Sequence, residues 1–177
     1  MNLYFRLMRI LVLALRQDIL DIFDTSITRF RVWPTDMDIN RHMNNAKYLS
    51  LMDLGRLDFL IRTGLGRVVL KNKWMPVLGS SNVRWRRALH FFQKFELHTR
   101  LLCWDEKWFY IEQRVIKDDQ VMCHAIVKGI FVGSKGSIAA QKLISNNRPE
   151  LLSPPMPESV KHWILSEQEM SKTLKDH

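Results

Sequence analysis

The sequence predicts an α+β domain in which one antiparallel sheet wraps a single long helix. Three observations carry this. Residues 45–62 run without proline and place apolar side chains around most of a helical circumference, as a helix surrounded by protein requires. Beyond them the apolar period falls to alternate residues through the stretches 75–88, 95–104, 107–117 and 121–132. The links between these stretches are short, and short links join antiparallel neighbours because parallel strands need long crossovers.

Taken in order, residues 3–15 are strongly apolar but broken by Arg6 and Arg9, with Arg16 following. That segment is too short and too charged to span a bilayer. On a helical wheel Asn2, Arg6, Arg9, Arg16 and Gln17 gather on one side and leave a broad apolar face. The segment is expected to pack on the domain or on a partner subunit. The alternative is peripheral membrane contact, with residues 1–17 as a basic amphipathic helix on anionic lipid. No small-residue cleavage site follows, which argues against a removable signal peptide.

Residues 25–33, rich in β-branched and aromatic types, read as a strand that Pro34 ends. Asn44 or Asn45 caps the long helix, and Gly64 and Gly66 stop it. Gly55 inside that helix costs about 1 kcal/mol relative to Ala, which close packing of helix on sheet explains. Lys117-Asp118-Asp119-Gln120 is a hairpin turn, and Gly133-Ser134-Lys135-Gly136 is another turn. Pro149, Pro154, Pro155 and Pro157 mark an extended linker, followed by a final helix over 158–172 anchored by Trp163. The chain divides into an N-terminal helix (1–22), the domain proper (23–140), and a linker with C-terminal helix (141–177). This arrangement, a sheet wrapped round one helix, is that of the hotdog fold, and the bare pattern also suits other α+β folds.

Hydrophobic residues are 46% and charged residues 25% of the 177, a balance that excludes disorder as the main reading. The formal charge of +9 favours anionic partners such as nucleic acid, phospholipid head groups, coenzyme A phosphates or an acidic carrier protein, and charge alone does not choose among them. Cys103 and Cys123 form no CxxC and read as buried thiols in a reducing compartment. The basic stretch Arg84-Trp85-Arg86-Arg87 places Arg84 and Arg86 on one strand face and Trp85 on the other. It suits solvent or the phosphates of coenzyme A better than nucleic acid. No GxSxG, HExxH, Walker or GxGxxG motif occurs, which argues against serine hydrolases, zincins and nucleotide enzymes.

The informative segment precedes the long helix. Asp36, Asp38, Asn40 and His42 recur at alternate positions and point the same way if the chain is extended. They lie ahead of a helix start, whose free N–H groups carry roughly half a unit of positive charge. Cleaving a thioester needs a nucleophile or base at the carbonyl carbon and donors for the developing oxyanion. Asp38 suits the first role, attacking the carbonyl or taking a proton from water. The amide of Asn45 suits the second, with Asn40 and His42 as orienting groups. The same residues also serve as a polar loop satisfying its own backbone. A calcium loop is disfavoured, because Arg41 and Lys47 stand where Gly and Glu belong. A transition-metal site is the weaker alternative, and no metal or cofactor is expected.

The run D-M-D-I-N-R-H-M-N-N-A-K-Y (36–48) resembles the D-x-D-x-N-x-H-x-N-N-x-x-Y motif of plant acyl-carrier-protein thioesterases. It is also similar to the opening of hotdog enzymes of the 4-hydroxybenzoyl-CoA thioesterase type. M-D-L-G-R-L-D, L-L-C-W-D-E-K-W-F-Y-I-E and V-K-H-W-I look closer still to the thioesterase superfamily member six-like family, over about 30–163. The resemblance implies a homodimer with the site between subunits, and Asp38 at the family's catalytic aspartate. The benzoyl-type pattern has Gly where Arg41 stands.

The expected function is therefore hydrolysis of acyl-CoA, or of acyl carrier protein thioesters, in the cytoplasm. Tyr48 is expected near the acyl pocket. Asp53 is expected as a second carboxylate at the site or in a salt bridge across the dimer, and Arg84 and Arg86 on substrate phosphate. The competing reading is a non-catalytic acyl-binding or membrane-associated interaction protein on the same scaffold. His90, His98 and His124 have no role at this level.

Overall fold

The computed structural model describes residues 3–146 and 148–173. Helix α1 (Leu3–Ala14) leads to strand β1 (Ser26–Arg31), then a single 3-10 turn (Pro34–Asp36) and the long helix α2 (Asn45–Arg62). A short α3 (Leu65–Lys71) follows, then β2 (Met75–Trp85), β3 (Lys94–Trp104), β4 (Phe109–Lys117), β5 (Gln120–Gly133) and β6 (Gly136–Ile138). The chain closes with α4 (Ala140–Ser145) and α5 (Glu158–Thr173). The strands form one antiparallel sheet in the order β1-β3-β4-β5-β2, with β6 paired to the end of β5.

The long helix has the bounds its sequence predicts. Asn44 is its cap, the side-chain oxygen accepting the Ala46 N–H at 2.8 Å. After its first turns only Asp53 is exposed, and Gly55 sits directly on β3. A Cβ there would stand 2.6 Å from Leu97 Cδ2 and 2.8 Å from Thr99 Oγ1. At the far end Gly64 takes φ 76°, a conformation that favours glycine, and the chain re-enters a helix at once. The α3 and α4 segments are too short to show a helical period, and neither is foreseen from the sequence. The β4–β5 hairpin turns at Asp118 (φ 47°) and Asp119 (φ 59°), both left-handed as a two-residue connection demands.

Strands β4 and β5 are buried on both faces because the C-terminal segment covers the outer one. Val160 of α5 is fully buried there, and Trp163 meets Tyr110 edge-on at 6.5 Å. Strand β2 is the opposite case. Almost every residue is exposed, including apolar Met75, Val77, Leu78 and Trp85, so its alternation does not describe burial in the single chain. The strand ends at Trp85. The N–H groups of both Arg86 and Arg87 go to the Met122 carbonyl, so the alternation predicted for Arg84 and Arg86 stops there.

Helix α1 corrects the wheel reading. Arg6 is buried against the domain and pairs with Asp36, while Arg9 donates to the Arg29 carbonyl at 3.1 Å. Part of the side predicted to be polar faces inward, and much of the apolar side faces out. Asn2 lies outside the described residues. Among those residues no helix is long and apolar enough to cross a membrane.

Candidate active site

The segment from Asp36 to Asn44 is not extended. It doubles back, with Met37 bridged to Met43 and the Asp38 N–H donating to the His42 carbonyl at 2.9 Å. The reversal runs through Arg41, whose φ of 60° lies in the left-handed region. That conformation gives a physical reason for glycine at this position in related patterns. Folding back scatters the four polar side chains that strict alternation would have aligned. Asp36 turns inward, 2% exposed, where it pairs with Arg6 and accepts the Trp33 N–H at 2.9 Å. Its carbonyl takes the Asn44 N–H at 2.9 Å and so fixes the helix entry.

Asp38 is half-buried. Its Oδ1 accepts the backbone N–H groups of Asn40 at 2.9 Å and His42 at 3.2 Å. Asn40 and His42 therefore orient Asp38 through their amides. Their side chains are exposed and make no bond to it among the described residues. Asp38 Oδ2 has no hydrogen-bond partner among the described residues, and the same holds for the first-turn N–H of Asn45. A carboxylate oxygen and a helix-start donor are thus both left open at one end of α2.

The remaining candidates separate. Tyr48 is buried in the core beneath the loop, where burial first, and the neighbouring Cys123, push its phenol up to about 12. It lines no cavity. Asp53 pairs with Arg56 one turn along α2, and Arg56 also donates to Gln113 Oε1 at 2.5 Å. Asp53 and Arg56 sit at an apolar cavity of about 250 Å³ whose walls include Leu60 and Leu101, closed on one side by Val77 and Leu78 of β2. Asp38 is not among its lining residues. Arg84 and Arg86 are exposed on the stretch that runs to Leu89, whose carbonyl takes the Met43 N–H at 2.8 Å. The basic stretch therefore borders the Asp38 loop.

Two residues enter that the sequence gives no means of finding. Arg6 holds the loop from α1, and His90 brings its ring to 5.1 Å from that of His42. Both contacts join segments far apart in the chain, and no periodicity reports them. Cys103 and Cys123 are both buried and free, their thiols pushed up to about 11 and about 12 chiefly by burial. Among the described residues no cluster of His, Cys, Asp and Glu is able to hold a metal.

An antiparallel sheet laid across one buried helix, with an acid-bearing loop at the helix start, defines a hotdog protein. The chain belongs to the thioesterase-like superfamily, whose family model matches residues 32–164. It is 35% identical to Protein THEM6 of Xenopus laevis over 146 residues, 81% of this chain and 69% of that protein. A probable thioesterase of Saccharomyces cerevisiae is 30% identical over 93 residues, 51% of this chain and 40% of that one. The solved probable thioesterase YbaW of Escherichia coli superposes with a TM-score of 0.63 at 19% identity, covering 68% of this chain and 93% of its own, and shares the fold. The family and its thioesterase-named members support thioester hydrolysis as the activity.

Proposed function

We propose that the protein hydrolyses fatty acyl-CoA, with Asp38 as general base or nucleophile and the Asn45 amide as oxyanion donor. The observation that carries this is the state of Asp38. One oxygen is pinned by two backbone N–H groups, the other is open, and the unpaired N–H of the helix start lies in the same structural unit. Pinning keeps the acid in one orientation, which is what a positioned base or nucleophile needs. No metal or cofactor enters this scheme.

The reading includes a homodimer with the site between subunits. In the single chain the acid and the apolar cavity are separate, and β2, which closes the cavity, is an uncovered edge strand. Pairing β2 with its copy removes that edge and lets one subunit's cavity serve the other's Asp38. The cavity then takes the acyl chain. Arg84 and Arg86 meet the phosphates of coenzyme A, or an acidic carrier protein in its place. Asp53, held by Arg56, stands at the mouth of the cavity as a binding residue. The cytoplasm is the compartment that fits a coenzyme A substrate and two reduced thiols.

The experiment is release of free thiol from acyl-CoAs of graded chain length by the wild type and by Asp38→Asn. Turnover that falls at least about a hundred-fold in the variant supports the assignment. Tight binding of acyl-CoA with no thiol released at any length would overturn it in favour of a non-catalytic acyl-binding protein.

A further inference from the structure

Helix α1 lies on the domain the unexpected way round. Arg6 is 3% exposed, paired with Asp36 and donating to the Arg31 carbonyl at 3.1 Å, while Ile10 and Ala14 are buried beside it. Phe5, Met8 and Val12 are 70%, 59% and 45% exposed. Their spacing places them on one stripe of the helix, opposite Arg6 and Ile10. A buried ion pair with one partner removed leaves an uncompensated charge. Rolling α1 over to bury the stripe would do that to Asp36, so the pair fixes the helix with its apolar side outward.

The surroundings of the stripe select its occupant. A groove of about 630 Å³ beside α1 is lined by five cations, Arg9, Arg29, Arg31, Lys94 and Lys117, against three acids, Glu96, Asp118 and Asp119. Glu96 pairs with Arg29 and Asp118 with Lys117, while Arg9, Arg31 and Lys94 have no carboxylate partner among the described residues. The segment 3–14 contains no acid, and the whole chain carries +9. A second copy is a poor fit. A two-fold contact sets the same cations against each other, and a stripe about 10 Å long and about 10 Å wide is far below the roughly 800 Å² per partner of a stable interface. An anionic bilayer accepts both features, the apolar side chains among the acyl chains and the cations among the head groups.

We propose that α1 seats the protein on an anionic membrane surface through Phe5, Met8 and Val12, with Arg9, Arg31 and Lys94 on the lipid phosphates. The proposal does not depend on the hydrolase reading. The test is co-sedimentation of the full chain with phosphatidylcholine vesicles made with and without phosphatidylglycerol. Binding is expected only with phosphatidylglycerol present and weakens as salt is raised. Replacing Phe5, Met8 and Val12 together by Ser is expected to lower partitioning at least tenfold, with thermal unfolding unchanged because the positions are exposed. Arg31→Gln and Lys94→Gln, which leave the stripe intact, should each lower it about fivefold. Wild type that stays in the supernatant at every composition overturns the proposal. So does a triple-Ser variant that sediments like wild type, or one whose only change is a lower oligomeric mass.

Discussion

Asp38 holds its own loop with one carboxylate oxygen, and the loop in turn holds Asp38. The backbone cost of that arrangement falls on Arg41, whose φ of 60° is unfavourable for any residue with a Cβ. Arg41→Gly is therefore expected to raise stability by about 1 kcal/mol, read as a higher urea midpoint at unchanged slope. A second residue-scale prediction concerns Glu112 on the outer face of the sheet. Burial alone would raise its pKa, but hydrogen bonds from His124, Arg114 and Arg100 prevail and hold it at about 2, below the usual 4.5. A carboxylate depressed in the folded state contributes stability that is complete above its unfolded pKa and lost as pH falls towards the folded one. The window is pH 4.5 down to about 2. Because the arginines are half-exposed, the contribution is discounted to about 1–2 kcal/mol. Urea unfolding at pH 6 and pH 3 should show wild type losing more stability than Glu112→Gln between the two.

At the scale of elements, α2 and β3 approach so closely that only glycine fits between them at position 55. Alanine is the better helix former by about 1 kcal/mol. Its Cβ at 2.6 Å from Leu97 Cδ2 and 2.8 Å from Thr99 Oγ1 would nonetheless displace two fully buried side chains, and overpacking of this kind costs about 1–3 kcal/mol. Gly55→Ala is expected to lower the thermal midpoint despite its propensity. An unchanged or higher midpoint would show that the Leu97 and Thr99 side chains give way freely. The α2 bounds, the β4–β5 hairpin and Trp163 in α5 were all legible, because each follows from local period, capping or turn chemistry. The segment holding Asp36 and Asp38 was legible in residue type and misread in shape. Alternation assumes extended chain, and the left-handed Arg41 reverses it.

At the scale of the whole molecule, strand β2 is out of balance. It carries Met75, Val77, Leu78 and Trp85 into solvent and closes the cavity with nothing behind it. If the proposed dimer covers it, Leu78→Lys should reduce the sedimenting species from two chains to one. Thiol release should fall with it, although Asp38 is untouched. Dimeric sedimentation of the variant with full activity would contradict that arrangement.

Sequence by itself determined the class of fold, the place of the long helix and the acid that precedes it, since periodicity, caps and a contiguous motif are local properties. Tertiary structure alone decided how α1 is turned, which carboxylate is buried and which is open, and that β2 lacks a cover. Those outcomes depend on contacts between residues distant in the chain, such as Arg6 with Asp36, and local pattern carries no record of them.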